Sequence, residues 1–392
     1  MRKLAPSEDD SIYQGGAWPT DAQQLLLQAA LLDAPAAVDA WEAWQEQAKI
    51  DALDSGSWRL LPLVYVNLKR LGVTDPLLFQ AKECHRYQWI CNQKLFHQAA
   101  GFLEELEQLE TPALVLKGVA LAHLYYPDTG ARPMADLDLL VPEQKFLALG
   151  NHLLRNGWKE TDGLSFDPFE TNPLPSFGFV RPDGFWVDIH HHVLHANCAR
   201  SADDAFWSHA RPWIFRQKSV RTLSPEDHLL HVISHGLRWC DVPPFRWVAD
   251  AWWILARSKG AFDWERFCRQ ARFHTVHLTI FRGLEFMSQV IPLDLPAGLL
   301  TRLERIPISP KARIRFIADT HPLPRNFFWR VRCIWEAMGT AESGYSIVGI
   351  PPAPRTGRFA LRSFWSVPWL LLYGLKVAVR ETLRFLGIKL RF

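Results

Sequence analysis

Two aspartates lie two residues apart in the apolar run Met134-Ala135-Asp136-Leu137-Asp138-Leu139-Leu140-Val141, and no other part of the chain is as well suited to chemistry. In a β-strand successive side chains alternate between faces, so this spacing aims both carboxylates to one side and sends Leu137 and Leu139 to the other. Two carboxylates facing one way repel each other, and a hard divalent cation or a basic partner relieves that repulsion. The plainer alternative is a pair of solvated aspartates at a strand end. Upstream, the apolar run 113–116 ends at Lys117-Gly118 and passes into a helix-compatible stretch, 119–125. Backbone N–H groups at a helix start, assisted by a lysine, suit a triphosphate. A third carboxylate, Asp188, sits in Trp186-Val187-Asp188-Ile189-His190, where on a strand Asp188 and His190 share a face opposite Val187 and Ile189. Metal ligands, phosphate donors and a group that positions a nucleophile are the components that transfer at phosphorus requires.

The elements that must position these groups are legible in the apolar spacing. Helical periodicity marks 22–32, 35–53, 58–71 and 75–109, giving an N-terminal helical region over 1–110. From 113 the pattern changes to short apolar runs broken by Gly and Pro, with one helix between Pro142 and Asn156 that Gly157 stops. Residues 177–181 and 185–190, joined by Pro182-Asp183-Gly184, predict a β-hairpin. These features define an α/β module over 111–200. Helix returns beyond about 200, over 201–338: Ser224-Pro225-Glu226-Asp227 is a capped start for a helix to about His235, and 245–257, 264–272, 277–290 and 327–338 follow. Residues 339–392 predict a Gly/Ser/Pro-rich loop and then a basic amphipathic tail. The fold class expected is therefore α+β, a small mixed-sheet module flanked by N-terminal and C-terminal helical regions.

Composition sets outer bounds. With 392 residues, 22% charged and 48% hydrophobic, the chain has room for several cores and resembles neither a disordered nor a polytopic membrane protein. A net charge of +3 gives no chain-wide pull toward nucleic acid. The six cysteines form no C-x-x-C pair, which suits reduced thiols, and the first ten residues lack the apolar stretch of a secretion signal, so a cytoplasmic location is expected. In the tail, Lys376, Arg380 and Arg384 fall at i, i+4 spacing after Trp365, Trp369 and Tyr373. That pattern suits a terminal helix docked on its own domain. Its alternative is peripheral contact of residues 364–392 with the inner membrane.

Several histidines invite weaker readings. His190, His191, His192 and His195, with Cys198 nearby, suggest zinc, but adjacent strand residues point to opposite sides. His228, His231 and His235 fall on one helix face, which suits packing against the module, with a phosphate-facing role for His235 and Arg238 as the alternative. Arg246 and Asp250, four apart, read as a structural salt bridge.

Taken together, Leu116-Lys117-Gly118, Arg132, Asp136-Leu137-Asp138-Leu139-Leu140-Val141, Gly157-Trp158 and Val187-Asp188-Ile189-His190 resemble the uncharacterised bacterial nucleotidyltransferase family of the DNA polymerase beta-like superfamily, over residues 20–290. The resemblance implies a Mg²⁺-dependent nucleotidyltransferase that moves an NMP from an NTP, expected to be ATP, to an acceptor with release of pyrophosphate. It implies that Asp136, Asp138 and Asp188 hold the metal and carry the catalysis. Lys117, Gly118, Arg132 and His190 would bind the nucleotide, and Asp188 would orient or deprotonate the acceptor hydroxyl. The acceptor is left open among a small molecule, a glycan, a protein and an RNA end. Two positions depart from the superfamily pattern: Val119 stands where a serine usually follows the glycine, and Ala135 stands where serine often precedes the first aspartate. These departures keep a second reading open, a nucleotide sensor or scaffold in an envelope-polysaccharide or peptide-modification pathway.

Overall fold

Thr20, Asp54, Ser224, Asp263 and Ser309 each cap a helix start with a side-chain oxygen in the computed structural model, which describes residues 15–161, 166 and 175–321. Thr20 forms a reciprocal capping box with Gln23, Asp54 accepts from the Gly56 and Ser57 amides, and Ser224 accepts from the Asp227 amide at 3.3 Å. The first ten residues, the expected helix 327–338, the loop 339–357 and the basic tail 364–392 lie outside the described residues.

Four helices come first: α1 (Asp21–Leu31), α2 (Ala36–Gln47), α3 (Ser55–Arg70) and the long α4 (Leu78–Gln108). The chain then alternates: β1 (Leu114–Val115), α5 (Lys117–Leu124), β2 (Asp136–Leu140), α6 (Glu143–Arg155), β3 (Lys159–Glu160), β4 (Ser176–Val180), β5 (Trp186–His190), α7 (Asp204–Ser208), β6 (Arg211–Phe215) and β7 (Lys218–Thr222). It ends in α8 (Pro225–Gly236), α9 (Arg246–Arg257), α10 (Trp264–Phe273), α11 (His277–Val290), α12 (Leu299–Glu304) and α13 (Pro310–Thr320). The fold is α+β, a seven-stranded mixed sheet with helices on either side in the sequence, and the sheet order is β3-β4-β5-β2-β1-β7-β6. No helix among the described residues is long and apolar enough to cross a membrane.

The sheet separates two apolar cores, and strand alternation assigns each residue to one of them. Leu137, Leu139, Val187 and Ile189 pack with Phe96, Phe102 and Leu106 of α4 and with Phe146 and Leu153 of α6. The opposite face contributes Leu114, Leu116 and Leu140 to a core shared with α1, α3, α8, α9 and α11. Asp136 and Asp138 lie on this second face, so the helical layers form the surroundings of the carboxylates.

The hairpin β6–β7 corrects the expectation of helix from residue 201 onward. Its turn residues, Arg216 and Gln217, both have positive φ, 44° and 68°, the geometry that ordinarily selects Asn-Gly. With neither Asn nor Gly present, the sequence carries no hairpin signal there. β7 then runs parallel to β1, with Val115 opposite Thr222, and extends the sheet beyond the interval in which strands were expected.

Between α5 and β2, residues 126–135 are held from two sides. From α4, the buried Asn92 Nδ2 donates to the carbonyls of Thr129 at 2.5 Å and Arg132 at 2.9 Å. From α9, Asp250 accepts from Arg132 Nε at 2.7 Å, from Arg132 Nη2 at 2.9 Å and from the Tyr126 hydroxyl at 2.6 Å. Arg246 does not pair with Asp250, as its spacing predicted; its Nη1 donates to the Pro133 carbonyl at 2.7 Å. Arg132 occupies both carboxylate oxygens in a two-point contact instead, and Arg246 is directed to the segment before Asp136.

Burial alone would raise the Asp250 carboxyl, but Arg132 outweighs it and holds the group below its ordinary value. A carboxyl depressed in the folded state stabilises the fold above its unfolded value of ~4, and that contribution is lost as the pH falls through the folded value. Asp250→Asn leaves the Arg132 charge buried and unpaired, and is expected to cost about 3–5 kcal/mol at neutral pH. Thermal melts of wild type and Asp250→Asn should converge as the pH is lowered below ~4.

Candidate active site

β2 and β5 pair in parallel, and the register sets Asp138 directly against Asp188, Asp136 against Trp186 and Leu140 against His190. Neighbouring strands lie about 4.8 Å apart, so the in-register aspartates stand side by side on one face. His190 Nε2 sits 3.0 Å from Asp188 Oδ2 and 3.3 Å from Asp138 Oδ1, and Lys117 Nζ donates to the same Asp138 oxygen at 2.8 Å. Donor atoms of Asp138, Asp188 and His190 fall within 4.8 Å of one another, the one such cluster of possible metal ligands among the described residues. Asp136 precedes it on the same strand face, outside the compact cluster.

Burial pushes the Asp136 carboxyl up, the neighbouring Asp138 charge adds to this, and the group is raised to about 6. For Asp138 burial works in the same direction, but Lys117 and His190 outweigh it and hold the carboxyl well below its ordinary value. His190 shows the mirror image: burial lowers its imidazole, and Asp188 leads the interactions that raise it. Three carboxylates thus face one lysine and one histidine. Among the described residues Lys117 and His190 are the only bases that touch these carboxylates, and oxygen donors in that arrangement fit a hard divalent cation such as Mg²⁺.

Lys117 reaches Asp138 from a backbone in the left-handed region, φ 37°, at the junction of β1 and α5. A non-glycine residue there is strained by roughly 1–2 kcal/mol, and strain of this kind concentrates at functional sites. Beside it, a Cβ on Gly118 would come 3.3 Å from Met134 Cβ and 3.5 Å from Arg132 Nη1. The one Arg132 nitrogen not engaged by Asp250 therefore faces the glycine turn, so the same guanidinium anchors the loop and borders the site.

Two cavities meet at the carboxylates. The larger, 560 Å³, lies toward β1 and is lined by Lys117, Gly118, Arg132 and all three aspartates, together with Arg59 of α3, His235 of α8, Arg238 and Arg246. The smaller, 310 Å³, lies toward β4 and is lined by Asp136, Asp188, Thr161, Ser176, Trp186 and His195, among others. The sequence offered no sign of Arg59, Arg246, Ser176 or Trp186 as site residues. Their only common property is spatial, and it arises when α3, α9 and β4 pack around β2 and β5.

The other histidines divide among these surroundings. His191 packs against Phe146 with the rings tilted at 31° and their centroids 4.4 Å apart, and His192 Nδ1 lies 2.5 Å from Asp203 Oδ2. Neither joins His190 at the cluster, because both lie past the end of β5 and turn to these other partners. On α8, His228 Nε2 lies 3.0 Å from the Thr222 hydroxyl, His231 meets the edge of His190 at 6.5 Å, and His235 borders the larger cavity.

The family described as uncharacterised nucleotidyltransferase matches residues 57–292. The chain belongs to that family. Members of a nucleotidyltransferase family move nucleoside monophosphates, and in this member the matched residues contain Lys117, Gly118, Arg132, Asp136, Asp138, Asp188 and His190. The chain is also similar to the solved structure of the lincosamide antibiotic adenylyltransferase LnuA with lincomycin bound, at 15% identity over 34% of this chain and 83% of that one, TM-score 0.25. A second similarity is to an antigenic nucleotidyltransferase-like protein from Paracoccidioides brasiliensis, at 15% identity over 53% of this chain and 92% of that one, TM-score 0.27. No curated protein matches the chain.

Within this family member, Gly178 of β4 lies opposite Asp188, and a Cβ on it would run into the Thr161 hydroxyl. Gly178→Ala is expected to destabilise the fold by about 1–3 kcal/mol through this overpacking. Combining it with Thr161→Ala should recover part of the loss, which chemical denaturation of the two single variants and the double variant would measure.

Proposed function

We propose that the chain transfers a nucleoside monophosphate from an NTP, ATP in the first instance, to an acceptor hydroxyl, with release of pyrophosphate and with Mg²⁺ as cofactor. The observation that carries this reading is a single 560 Å³ cavity in which the aspartates Asp136, Asp138 and Asp188 meet the arginines Arg59, Arg238 and Arg246, beside the paired Arg132 and Asp250. None of these arginines makes an ion pair with a carboxylate among the described residues, in contrast to Lys117 with Asp138 and Arg132 with Asp250. Unpaired guanidinium groups facing a cavity suit phosphate oxygens.

In this reading Asp136, Asp138 and Asp188 hold the metal, and His190 keeps Asp138 and Asp188 oriented through its shared Nε2. Bound there, Mg²⁺ lowers the charge at the α-phosphate and on the departing pyrophosphate. Lys117, the Gly118 turn and the free edge of Arg132 receive the phosphates, with Arg59 and Arg238 closing on them. Asp188 borders both cavities and accepts the proton of the attacking hydroxyl. The acceptor oxygen bonds to the α-phosphorus while the bond from that phosphorus to the α–β bridging oxygen breaks, and pyrophosphate leaves with the electron pair. The protein contributes chiefly alignment and fixed charge.

The test is incubation with each α-labelled NTP and Mg²⁺, with and without cell extract. Wild type should transfer label, and Asp138→Asn should lose at least on the order of a hundredfold in rate while retaining the wild-type circular dichroism spectrum. Arg59→Ala and Arg238→Ala should each weaken ATP binding by about 1.5–3 kcal/mol, roughly ten- to a hundredfold in dissociation constant by calorimetry. ATP bound without any transfer would assign the chain to the sensor or scaffold reading, which Val119 at the glycine turn favours because it supplies no hydroxyl to a phosphate.

A further inference from the structure

We infer that the 310 Å³ cavity on the β4 side of the carboxylates is the acceptor site, and that it takes a small uncharged or cationic ring compound stacked on Trp186 with a hydroxyl presented to Asp188. The inference rests on the transfer reading above and names the acceptor class for that same site.

Position comes first. The strand order β4-β5-β2-β1 puts the two cavities on opposite flanks of the aspartates, and Asp136 and Asp188 line both. An NTP held by the arginines on the β1 flank turns its α-phosphate toward the carboxylates. A nucleophile attacking in line, opposite the pyrophosphate, then arrives from the β4 flank.

Charge separates the two flanks. The larger cavity carries five lysine and arginine side chains, whereas no lysine or arginine is among the described residues lining the smaller one. Its polar groups are Thr161, Ser176 and His195 beside the two aspartates. Burial, followed by the charge on His190, lowers His195 to about 3, so this imidazole is neutral at physiological pH. Apart from the metal that Asp136 and Asp188 would share, an anionic acceptor such as a phosphorylated sugar, a carboxylate or a nucleic-acid end would find no lysine or arginine among the described lining residues, whereas a neutral or positively charged ring needs none.

Shape gives the remaining selectivity. Trp186 is in register with Asp136 and shares the face of Asp188, yet it is 48% exposed, an uncommon position for the largest apolar side chain. Its ring can cover a sugar or planar ring, and a tryptophan face also attracts cations. Ser176 Oγ donates to Asp188 Oδ2 at 3.4 Å, a long bond that holds this carboxylate toward the cavity. A cavity of 310 Å³ accommodates a small molecule of one or two rings and no folded chain.

The experiment offers the full chain α-labelled ATP and Mg²⁺ with four acceptors in parallel: phenyl β-glucoside, an aminocyclitol glycoside, glucose 1-phosphate and a short RNA oligonucleotide. ATP affinity is measured separately by calorimetry. Label on the phenyl glucoside or the aminocyclitol glycoside is expected. Trp186→Ala should raise the KM for that acceptor about tenfold, with kcat little changed and the ATP dissociation constant within about twofold, and Trp186→Phe should restore most of the loss. Preferential labelling of glucose 1-phosphate or RNA overturns the inference, as does an unchanged acceptor KM in Trp186→Ala. No label on any of the four while a component of cell extract is labelled also overturns it, whereas ATP bound with no label on the four or on extract, or no ATP bound at all, sinks the transfer reading beneath it.

Discussion

Three carboxylates on one face of a sheet between two apolar cores are costly in electrostatic energy, and much of the surrounding structure consists of what makes them tolerable. Asp138 is the extreme case, buried and in register with Asp188. A buried charge survives only where opposite charge and hydrogen bonds meet it closely, and here Lys117 and His190 converge on one of its oxygens. To place Lys117 there the chain accepts a left-handed residue at the strand-to-helix junction. His190 reaches the same oxygen because strand alternation returns it to the face of Asp188.

The same constraint explains why the helical layers belong to the site. Residues 126–135 lead into Asp136, and any freedom in them would be passed on to the aspartate pair. Asn92 from α4 and Asp250 from α9 hold that segment through its carbonyls and through Arg132. A buried ion pair adds little net stability compared with apolar packing, so the importance of Arg132–Asp250 lies in geometry. It fixes one edge of the guanidinium and leaves the other toward Gly118. The arginines of α3 and α9 and the one following α8 complete the field around the larger cavity, which no single element provides.

Much of this was legible before the fold. Helices α1 to α4 and α8 to α11 begin within a few residues of the positions that apolar spacing and capping residues mark, because both signals act within a single turn of helix, whereas α7, α12 and α13 were not marked. The hairpin Arg211–Phe215 and Lys218–Thr222 was not legible, since its turn takes positive φ at Arg216 and Gln217 without the residues that favour it. The pairing of Asp250 was misread for a related reason. Helical spacing offered Arg246, but the guanidinium that binds it comes from 118 residues away, where local periodicity carries no information.

By itself the sequence determined the alternation that puts Asp136 with Asp138 and Asp188 with His190, the capped helix starts, and the motif set that resembles a nucleotidyltransferase family. Each of these depends on residues within a few positions of one another. Only the tertiary structure decided that β2 and β5 are parallel neighbours with Asp138 opposite Asp188, and a slip of one residue would have sent one carboxylate to the other core. It also decided that Lys117 lies against Asp138 and that Arg59, Arg238 and Arg246 meet in one cavity while Trp186 borders another. These are contacts between elements far apart in the chain, set by which apolar faces bury one another, and no spacing within a single segment encodes them.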